Sequence, residues 1–258
     1  MPEGDTVFQA ARVLEAALAG HTVTRTDFRV PALAEVDLAG LPVHSVGSRG
    51  KHVLLRIGDI VVHSHLKMEG EWRVFRPGEP WRRPAWQARA IVEVPEASAV
   101  GFDLGTLELF GAAEEAERLL YLGPDLLGAD WDAAEAVRRL ASVPETPIAV
   151  ALAEQRNLAG LGNVYVNEVC FLRGILPTRP VGQVELDPVV ALAVRVIRAN
   201  RDRAVRTTTG DTRRGRRLWV HGRAGEACRR CGALIEHGRL GRTEIELRES
   251  WWCPNCQR

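Results

Sequence analysis

The first residues of the chain carry a candidate nucleophile. Pro2 follows Met1, and because a methionine before a small residue is usually removed, we expect the mature chain to begin with a free proline amine. The pKa of an α-amino group is about two to three units below that of a lysine, so a useful fraction is unprotonated near neutral pH. Such an amine forms a Schiff base with an aldehyde carbon, and Glu3 beside it can donate or accept a proton. Taken alone, a Pro-Glu pair is more often an ordinary chain start.

Four cysteines near the other end of the chain form two C-x-x-C pairs, Cys228 with Cys231 and Cys253 with Cys256. Four thiolates satisfy the tetrahedral coordination of zinc, and such a closed site is structural because no position is left for a substrate. This spacing predicts one structural Zn²⁺ ion. The fifth cysteine, Cys170, lies in an apolar helical stretch, where we expect a buried small hydrophobic residue.

The composition indicates a globular protein with a basic end. Of the 258 residues 46% are hydrophobic, and the net charge is only +1. Residues 195–258 contain 16 arginines and 7 acidic residues, which favours a polyanionic partner, although a solvated charged surface has the same composition. The chain has only two lysines, Lys51 and Lys67. No run approaches the roughly 18 apolar residues of a membrane span and no signal peptide is present, so we expect no membrane partner and a cytoplasmic location.

The elements that must position these residues change character along the chain. Apolar residues at helical spacing from Val7 to Leu18 predict a helix that Gly20 ends. Short runs bounded by turn signals then predict strands, which together are typical of a β-sandwich or flattened barrel. The predicted strands are about 21–30, 43–48, 52–57, 60–66, 71–76, 88–94, 98–103 and 106–110.

From about Gly123 the pattern becomes helical. Capping residues and helix-opening prolines mark the starts of the predicted helices, and a glycine-containing turn over 157–162 separates two of them. The predicted helices are 131–141 with Asp130 as the N-cap, 147–156, 163–172, and Asp187 to about 202.

Motifs in a fixed order cover nearly the whole chain: Met-Pro-Glu-Gly at 1–4, Ser-Arg-Gly-Lys at 48–51, Leu158 to Asn163, and Gly-Arg-Ala-Gly at 222–225 before the first cysteine pair. This order resembles the formamidopyrimidine-DNA glycosylase/endonuclease VIII family, in its endonuclease VIII-like branch of actinobacterial type. The resemblance implies an α+β fold with three parts. These are an N-terminal catalytic β-sandwich with an N-terminal helix (1–124), a helical domain with a helix–two-turn–helix motif (125–220), and a β-hairpin zinc finger (221–258).

The same resemblance implies a bifunctional DNA glycosylase and AP lyase of base excision repair, with damaged DNA as its partner. The nitrogen of Pro2 would attack C1′ of the damaged nucleoside, and Glu3 would protonate the sugar ring oxygen. A Schiff base and β- and δ-eliminations would then cut the strand on both sides of the sugar. The Met-Pro-Glu-Gly start favours oxidised pyrimidines as substrates. We expect a monomer associated with the nucleoid.

Further DNA contacts follow from the matching motifs. The resemblance implies that Lys51 assists catalysis by holding a phosphate near the damaged nucleotide. Gly162 has no side chain, so its backbone amide can approach a phosphate closely, and the N-terminus of the predicted helix 163–172 attracts the same phosphate. The side chain of Asn163 can also bind it. Because a base inside a duplex must be flipped out, side chains must fill the gap. The resemblance places them at Lys67, Met68 and Glu69, with Met68 as the wedge.

An arginine of the zinc-finger hairpin is implied to enter the minor groove at the lesion, and two residues match it. The 21 residues between Cys231 and Cys253 are more than the family usually has, so the hairpin carries an insertion. Counting back from the second cysteine pair gives Arg248, which we favour as the catalytic arginine. Counting to the middle of the hairpin gives Arg242, which is otherwise interpreted as a DNA contact.

Thr6 and Glu69 depart from the family pattern. They leave open a catalytically weak paralogue that binds abasic or single-stranded DNA. A zinc-ribbon interaction protein with a coincidental start is a further alternative, and borohydride trapping on an abasic oligonucleotide distinguishes all three. His63 and His65 alternate along a predicted strand and are interpreted as ordinary strand residues.

Overall fold

Residues 2–258 are described by a computed structural model, in which the chain divides into two units between Tyr121 and Leu122. Within these residues no helix is both long enough and apolar enough to cross a membrane. The expected removal of Met1 lies outside the described part of the chain.

The first unit is a β-sandwich with a long helix at its start. Its helices are α1 (Gly4–Leu18) and α2 (Glu115–Arg118), and its strands are β1 (Arg25–Phe28), β2 (Val43–Arg49), β3 (His52–Ile57), β4 (Ile60–His65), β5 (Glu71–Phe75), β6 (Ala88–Val94), β7 (Ala97–Phe102) and β8 (Thr106–Gly111). Antiparallel pairing joins these described strands into two sheets, ordered β1-β6-β7-β5 and β2-β3-β4-β8. The predicted β-sandwich with an N-terminal helix is therefore confirmed.

The alternation of side chains along each strand builds the core between the two sheets. Val53 and Leu55 of β3 share one cluster with Val92 and Val94 of β6, and Leu14 of α1 packs into it. All of these side chains are at most 2% exposed. Burying an aliphatic side chain of this size stabilises a fold by about 1.5–3 kcal/mol.

Strand β1 is shorter than the predicted run of 21–30. Before it, the amide of Val23 donates to the carbonyl of Leu41 at 2.9 Å, and the amide of Gly40 donates to the carbonyl of Val23 at 2.8 Å. Both backbone groups of Val23 are therefore occupied by the loop that precedes β2, so Val23 cannot join the ladder between β1 and β6.

Helix α1 runs antiparallel to β2. The carboxylate of Glu15 accepts a hydrogen bond from the amide of Val46, and the amide of Gly20 donates to the carbonyl of Val43 at 2.9 Å. From Glu15 back to the start of α1 is about 16 Å, at 1.5 Å per helical residue. From Val46 forward to Lys51 is also about 16 Å along an extended strand. The first residues of the chain therefore reach the end of the sandwich that carries Lys51.

The last residues of the first unit cover the outer face of the second sheet. This segment, residues 112–121, is called the strap below. The guanidinium of Arg56 donates to both carboxylate oxygens of Glu115, at 2.7 and 2.5 Å. Leu119 packs against a small apolar cluster that includes Phe110. An ion pair and a hydrophobic contact therefore hold the strap against the sheet.

The second unit is helical and ends in a hairpin. Its elements are α3 (Ala133–Ala141), α4 (Ile148–Ala153), α5 (Asn163–Arg173), α6 (Leu186–Asn200), β9 (Glu236–Leu240) and β10 (Arg248–Trp252). Helix α6 begins one residue before the predicted Asp187. Helix α3 is capped by Asp132 and not by Asp130 as predicted. The carboxylate of Asp132 accepts from the amide of Glu135 at 3.0 Å, which is the contact an N-cap makes with the third helical residue.

Helix α5 lies in the centre of the second unit. The residues from Val164 to Phe171 are all buried, so this helix is packed on all sides. It ends at Gly174, whose φ of +71° suits glycine, and the amide of Ile175 closes the turn by donating to the carbonyl of Cys170 at 2.9 Å. Cys170 is 1% exposed, as expected, and burial raises the pKa of its thiol to about 12.

Candidate functional site

The start of the chain combines a half-exposed residue with a fully buried carboxyl group. Pro2 is half-buried, whereas Glu3 is 0% exposed. Glu3 has an extended backbone immediately before α1, and its carbonyl accepts from the amide of Val7 at 3.0 Å. The helix therefore fixes the backbone of Glu3 and carries Pro2 at its end.

Both lysines lie at the same end of the second sheet. Lys51 occupies the turn between β2 and β3, and the register pairs its neighbour His52 with His65 of β4. Burial, and then the charges of Lys67 and Lys51, lower the pKa of His65 to about 4. Lys67 follows β4 with a φ of +53°, and a Cβ at Gly105 would overlap its side chain. The missing Cβ of Gly105 leaves the room that Lys67 occupies.

The predicted gap fillers continue from this point. Met68 follows Lys67 and is 62% exposed, and Glu69 after it is also exposed. The flexible thioether side chain of methionine is suited to contact with an apolar or aromatic surface. The structure thus brings the candidates of the first unit to one end of the sandwich.

The histidines of β3 and β4 are not the ordinary strand residues that their alternation suggested. Nδ1 of His52 lies 2.7 Å from Nε2 of His63, and the hydroxyl of Tyr121 lies 3.0 Å from Nε2 of His52. Both rings are buried, and burial lowers both pKa values, that of His52 to about 3 with a further contribution from His63. A histidine at every second position of one strand, opposite another on its neighbour, was the available signal.

In the second unit, a glutamine shapes the turn between α4 and α5. The amide nitrogen of Gln155 donates to the carbonyls of Ala153 and Leu161, both at 2.9 Å. Its oxygen accepts from the amide of Gly160 at 3.0 Å, and the φ of Gly160 is +111°. Gly162 then precedes the first turn of α5 in an extended conformation. This turn fixes where the N-terminus of α5 points.

Asparagines of α5 attach the hairpin. The side-chain amide of Asn163 donates to the carbonyl of Glu249 at 2.7 Å. One turn later, Oδ1 of Asn167 accepts from the amide of Trp251 at 2.8 Å and from the hydroxyl of Ser250 at 3.2 Å. The predicted phosphate contact Asn163 is therefore held beside the strand that begins at the candidate Arg248.

A cavity of about 390 Å³ lies where α4, the following turn, α5 and the hairpin meet, and both candidate arginines line it. Arg248 is the first residue of β10 and pairs with Leu240. Arg242 lies in the loop between the strands, and its Nη1 is 3.0 Å from the carboxylate of Glu154. The middle of that loop is occupied by Ile245, which is 97% exposed, and not by Arg242.

A buried carboxyl group that sequence reasoning missed organises the basic arm, residues 201–221. Glu168 is 0% exposed and accepts from the amides of residues 219–221 at 2.8–2.9 Å and from the hydroxyl of Thr208. Burial raises the pKa of Glu168, and these hydrogen bonds oppose that effect. A glutamate inside a buried helical run was the signal for such an anchor.

The four paired cysteines converge. Sγ of Cys228 is 3.9 Å from that of Cys256, Sγ of Cys231 is 3.4 Å from that of Cys253, and all four lie within 4.8 Å of one another. Tetrahedral zinc–thiolate bonds of 2.3 Å place sulfurs about 3.8 Å apart. Burial acts to raise the pKa of the Cys228 thiol, but amide donors, including that of Arg230, bring it down to about 7. The cluster could hold a metal ion.

Comparison with known proteins yields family models for most of the chain. Residues 1–103 match the formamidopyrimidine-DNA glycosylase N-terminal domain, and residues 122–214 match the formamidopyrimidine-DNA glycosylase H2TH domain. The DNA-(apurinic or apyrimidinic site) lyase Nei2 of Mycolicibacterium smegmatis is 52% identical over 259 residues, which cover 100% of this chain and 99% of that protein. Endonuclease 8 2 of Mycobacterium tuberculosis is 49% identical, with 100% of both chains covered.

Solved structures show the same fold. The Lactococcus lactis Fpg (MutM), in a complex with DNA that contains an oxidised pyrimidine, matches with a TM-score of 0.83 and 26% identity over 100% of both chains. A MutM complex with DNA that contains carbocyclic 8-oxo-G matches with a TM-score of 0.82 and 26% identity, also over 100% of both chains.

The buried histidines predict that the folded protein is destabilised by acid. Unfolded histidine is protonated below about pH 6.5, whereas folded His52 stays neutral until the pH approaches about 3. The stability contributed by the neutral ring is therefore complete above pH 6.5 and is lost as the pH falls towards 3. Urea unfolding should show a loss of about 2 kcal/mol attributable to His52 between pH 7 and pH 5.

His52→Gln replaces the ring by an uncharged side chain that does not titrate. It should lower the stability at pH 7 and make the stability less dependent on pH. His44→Gln, at an exposed position of β2, is the matched control. A pH dependence in His52→Gln as steep as in the unaltered protein would contradict the prediction.

Proposed function

The chain belongs to the formamidopyrimidine-DNA glycosylase family, and on that premise we propose that it is a bifunctional DNA glycosylase and AP lyase of base excision repair. The observation that carries the proposal is the arrangement at one end of the sandwich. There α1 holds Pro2 and the fully buried Glu3 at the level of Lys51. The endonuclease VIII and AP lyase relatives, similar over their full lengths, support the same assignment.

The proposed reaction begins at the amine of Pro2. Its nitrogen lone pair attacks C1′ of the damaged nucleoside, and the bond to the base breaks, with the electron pair leaving on the base and the amine proton passing to that base. Glu3 donates a proton to the sugar ring oxygen, so that the ring opens and the C1′–nitrogen bond becomes a Schiff base. Loss of a proton from C2′ then expels the 3′ phosphate, and a second elimination expels the 5′ phosphate.

Residues outside this centre hold the DNA. Lys51 and the N-terminus of α5, with Gly162 and Asn163, are proposed to bind backbone phosphates. Lys67 and Met68 are proposed to fill the space left by the flipped nucleotide, for which the 62% exposure of Met68 suits it. The side-chain amide of Asn163 is already held by its hydrogen bond to the carbonyl of Glu249, so this contact is positioned before DNA arrives.

We propose oxidised pyrimidines as the preferred lesions, because the chain has the Met-Pro-Glu-Gly start of the endonuclease VIII type. We propose further that the four cysteines bind one structural zinc ion, that the chain acts as a monomer, and that its DNA partner associates it with the nucleoid. The proposed domains are 1–124 (catalytic), 125–220 (helix–two-turn–helix) and 221–258 (zinc finger).

The nucleophile can be tested by borohydride trapping on an abasic oligonucleotide. Protein produced with Met1 retained has no proline amine, so covalent trapping should fall at least about 100-fold while DNA affinity is largely kept. Pro95→Ala, at an exposed turn, is the control. Trapping that persists with Met1 retained would exclude Pro2 and make Lys51 the first suspect. An unaltered protein that binds DNA but is never trapped would support the weak, DNA-binding alternative.

Metal binding can be tested with single cysteine variants. Cys253→Ser removes one of four thiolates, so the protein should lose bound zinc by elemental analysis and bind DNA more weakly, because the metal contributes directly to the folding of its module. Cys170→Ala, which lies outside the cluster, should keep its metal. Full activity in protein that contains no metal would contradict a structural zinc site.

The two hairpin arginines can be separated by substrate and salt. An arginine that holds the extruded nucleotide matters most for base excision from a paired lesion and less for a pre-formed abasic site. Arg248→Ala should therefore slow excision about tenfold more than abasic-site cleavage. Arg242→Ala should mainly reduce salt-sensitive affinity. Arg239→Ala, on the exposed face of β9, is the control, and equal small effects of both variants would show that the hairpin does not reach the lesion.

A further inference from the structure

A line of polar side chains, joined by two hydrogen bonds and one charge contact, crosses the outer face of the second sheet beneath the strap. His52 of β3, His63 of β4 and Glu108 of β8 lie on the same face, because the register pairs His63 with Glu108. The separations along this line are 3.0 Å from Tyr121 to His52, 2.7 Å from His52 to His63, and 3.5 Å from Nδ1 of His63 to Glu108. Both imidazoles are at most 9% exposed, so the contact between the two rings is shielded from water, whereas Tyr121 and Glu108 at the ends of the line are partly exposed.

The partners at the two ends give this line one direction. A carboxylate repels the lone pair of a ring nitrogen and attracts its N–H group, so the charge of Glu108, 3.5 Å from Nδ1 of His63, favours a proton on that nitrogen. Nε2 of that neutral ring is then an acceptor, and Nδ1–H of His52 donates to it. Nε2 of His52 is in turn an acceptor, and the hydroxyl of Tyr121 donates to it. Each neutral ring therefore carries its proton on Nδ1.

The line lies beside residues that matter for the proposed reaction. His52 directly follows Lys51, and its ring lies 5.1 Å from that of His65. Nδ1 of His65 accepts from the amide of Lys67 at 2.9 Å, so the same group of rings supports both lysines. Tyr121 is the last residue of the first unit, at the end of the strap.

Burying two imidazoles costs free energy that an apolar pair of similar volume would not. Apolar side chains can fill this face of the sheet, because Val61 of β4 and Phe110 of β8 form an apolar cluster at the neighbouring positions. Polar side chains at this place need a reason other than packing. A hydrogen-bonded line fixes ring orientation, and through the rings the backbone, more closely than apolar contacts do.

We propose that His52, His63 and Tyr121 are positioning residues. Their directed hydrogen bonds hold the backbone of Lys51, which binds the phosphate beside the attacked nucleotide, and of Lys67, which fills the gap left by that nucleotide. This proposal rests on the proposed glycosylase and lyase function. The strap is then a working part of the site, because its last residue supplies the first donor of the line.

The proton positions can be read directly from the full-length protein. With ¹⁵N-labelled histidine, nitrogen–proton correlation spectra at pH 7.5 should show His52 and His63 protonated at Nδ1 and bare at Nε2. Tyr121→Phe, which removes one hydroxyl from a partly exposed ring, should shift the Nε2 resonance of His52. Protonation of either ring at Nε2 would overturn the proposed direction, whether or not the protein proves to be a lyase.

The effect on the reaction is measured as the single-turnover rate on an abasic duplex and as the affinity for undamaged duplex. Tyr121→Phe and Glu108→Met should each lower the rate about tenfold and change the affinity less than about twofold, because the two lysines change position and keep their own charge. Glu108→Gln keeps an acceptor oxygen and should restore most of the rate. Glu117→Met, in the exposed part of the strap, is the matched control.

Unchanged rates in Tyr121→Phe and Glu108→Met would overturn a positioning role. Equal losses in Glu108→Gln and Glu108→Met would also overturn it, because the accepting oxygen would then be irrelevant. If the unaltered protein showed no cleavage at all, the proposed function would fail, while the spectra would still decide whether the line exists.

Discussion

The cost of burying a polar group without partners organises the second unit. Glu168 is completely enclosed, and its oxygens are satisfied only where residues 219–221 and Thr208 bring their donors to it. An unpaired carboxyl group at that place would cost several kcal/mol. The basic arm therefore has one favourable position against α5, and Asn167, the preceding residue, holds β10 in the same way. Adjacent residues of one helix thus order two segments that are far apart in the sequence.

The first unit solves a different problem. The proposed nucleophile, the amine of Pro2, would be tethered on one side only, so its position would depend entirely on the element that follows it. Helix α1 is held near its C-terminal end by the contact between Glu15 and Val46 and along its buried face by residues such as Leu14. A rigid helix transmits that restraint to Glu3, whose buried position would be lost if the helix could slide.

Local patterns were sufficient for most of the fold. Alternation gave each strand of the sandwich to within about two residues except β1, and the two cysteine pairs predicted the sulfur cluster. The structural features that local patterns did not predict depend on contacts between residues that are distant in the sequence. Val23 pairs with a loop, the Asn163 side chain bonds to Glu249 86 positions later, and the imidazole of His52 meets Tyr121 69 positions later. No periodicity in a single sequence encodes such pairs.

The residues of the candidate site that stand in sequence motifs could be predicted, and those outside motifs could not. Pro2, Lys51 and Asn163 stand in motifs that identify the family, whereas Gln155 and Glu168 act by shaping backbone and leave no comparable mark. The hairpin shows the limit most clearly, because an insertion breaks the count on which the choice between its arginines depends. The structure places both on one cavity and leaves their roles to experiment.

The placement of the lysines confines the reaction of this protein with amine-directed reagents to one region. The chain has two, and both lie at the end of the sandwich where α1 begins. Every other cationic side chain that is charged at neutral pH is an arginine, which amine-directed acylating reagents leave untouched. Acylation would therefore modify this one face and the chain start, and the protection of those amines by bound DNA would report occupancy of the site without any engineered label.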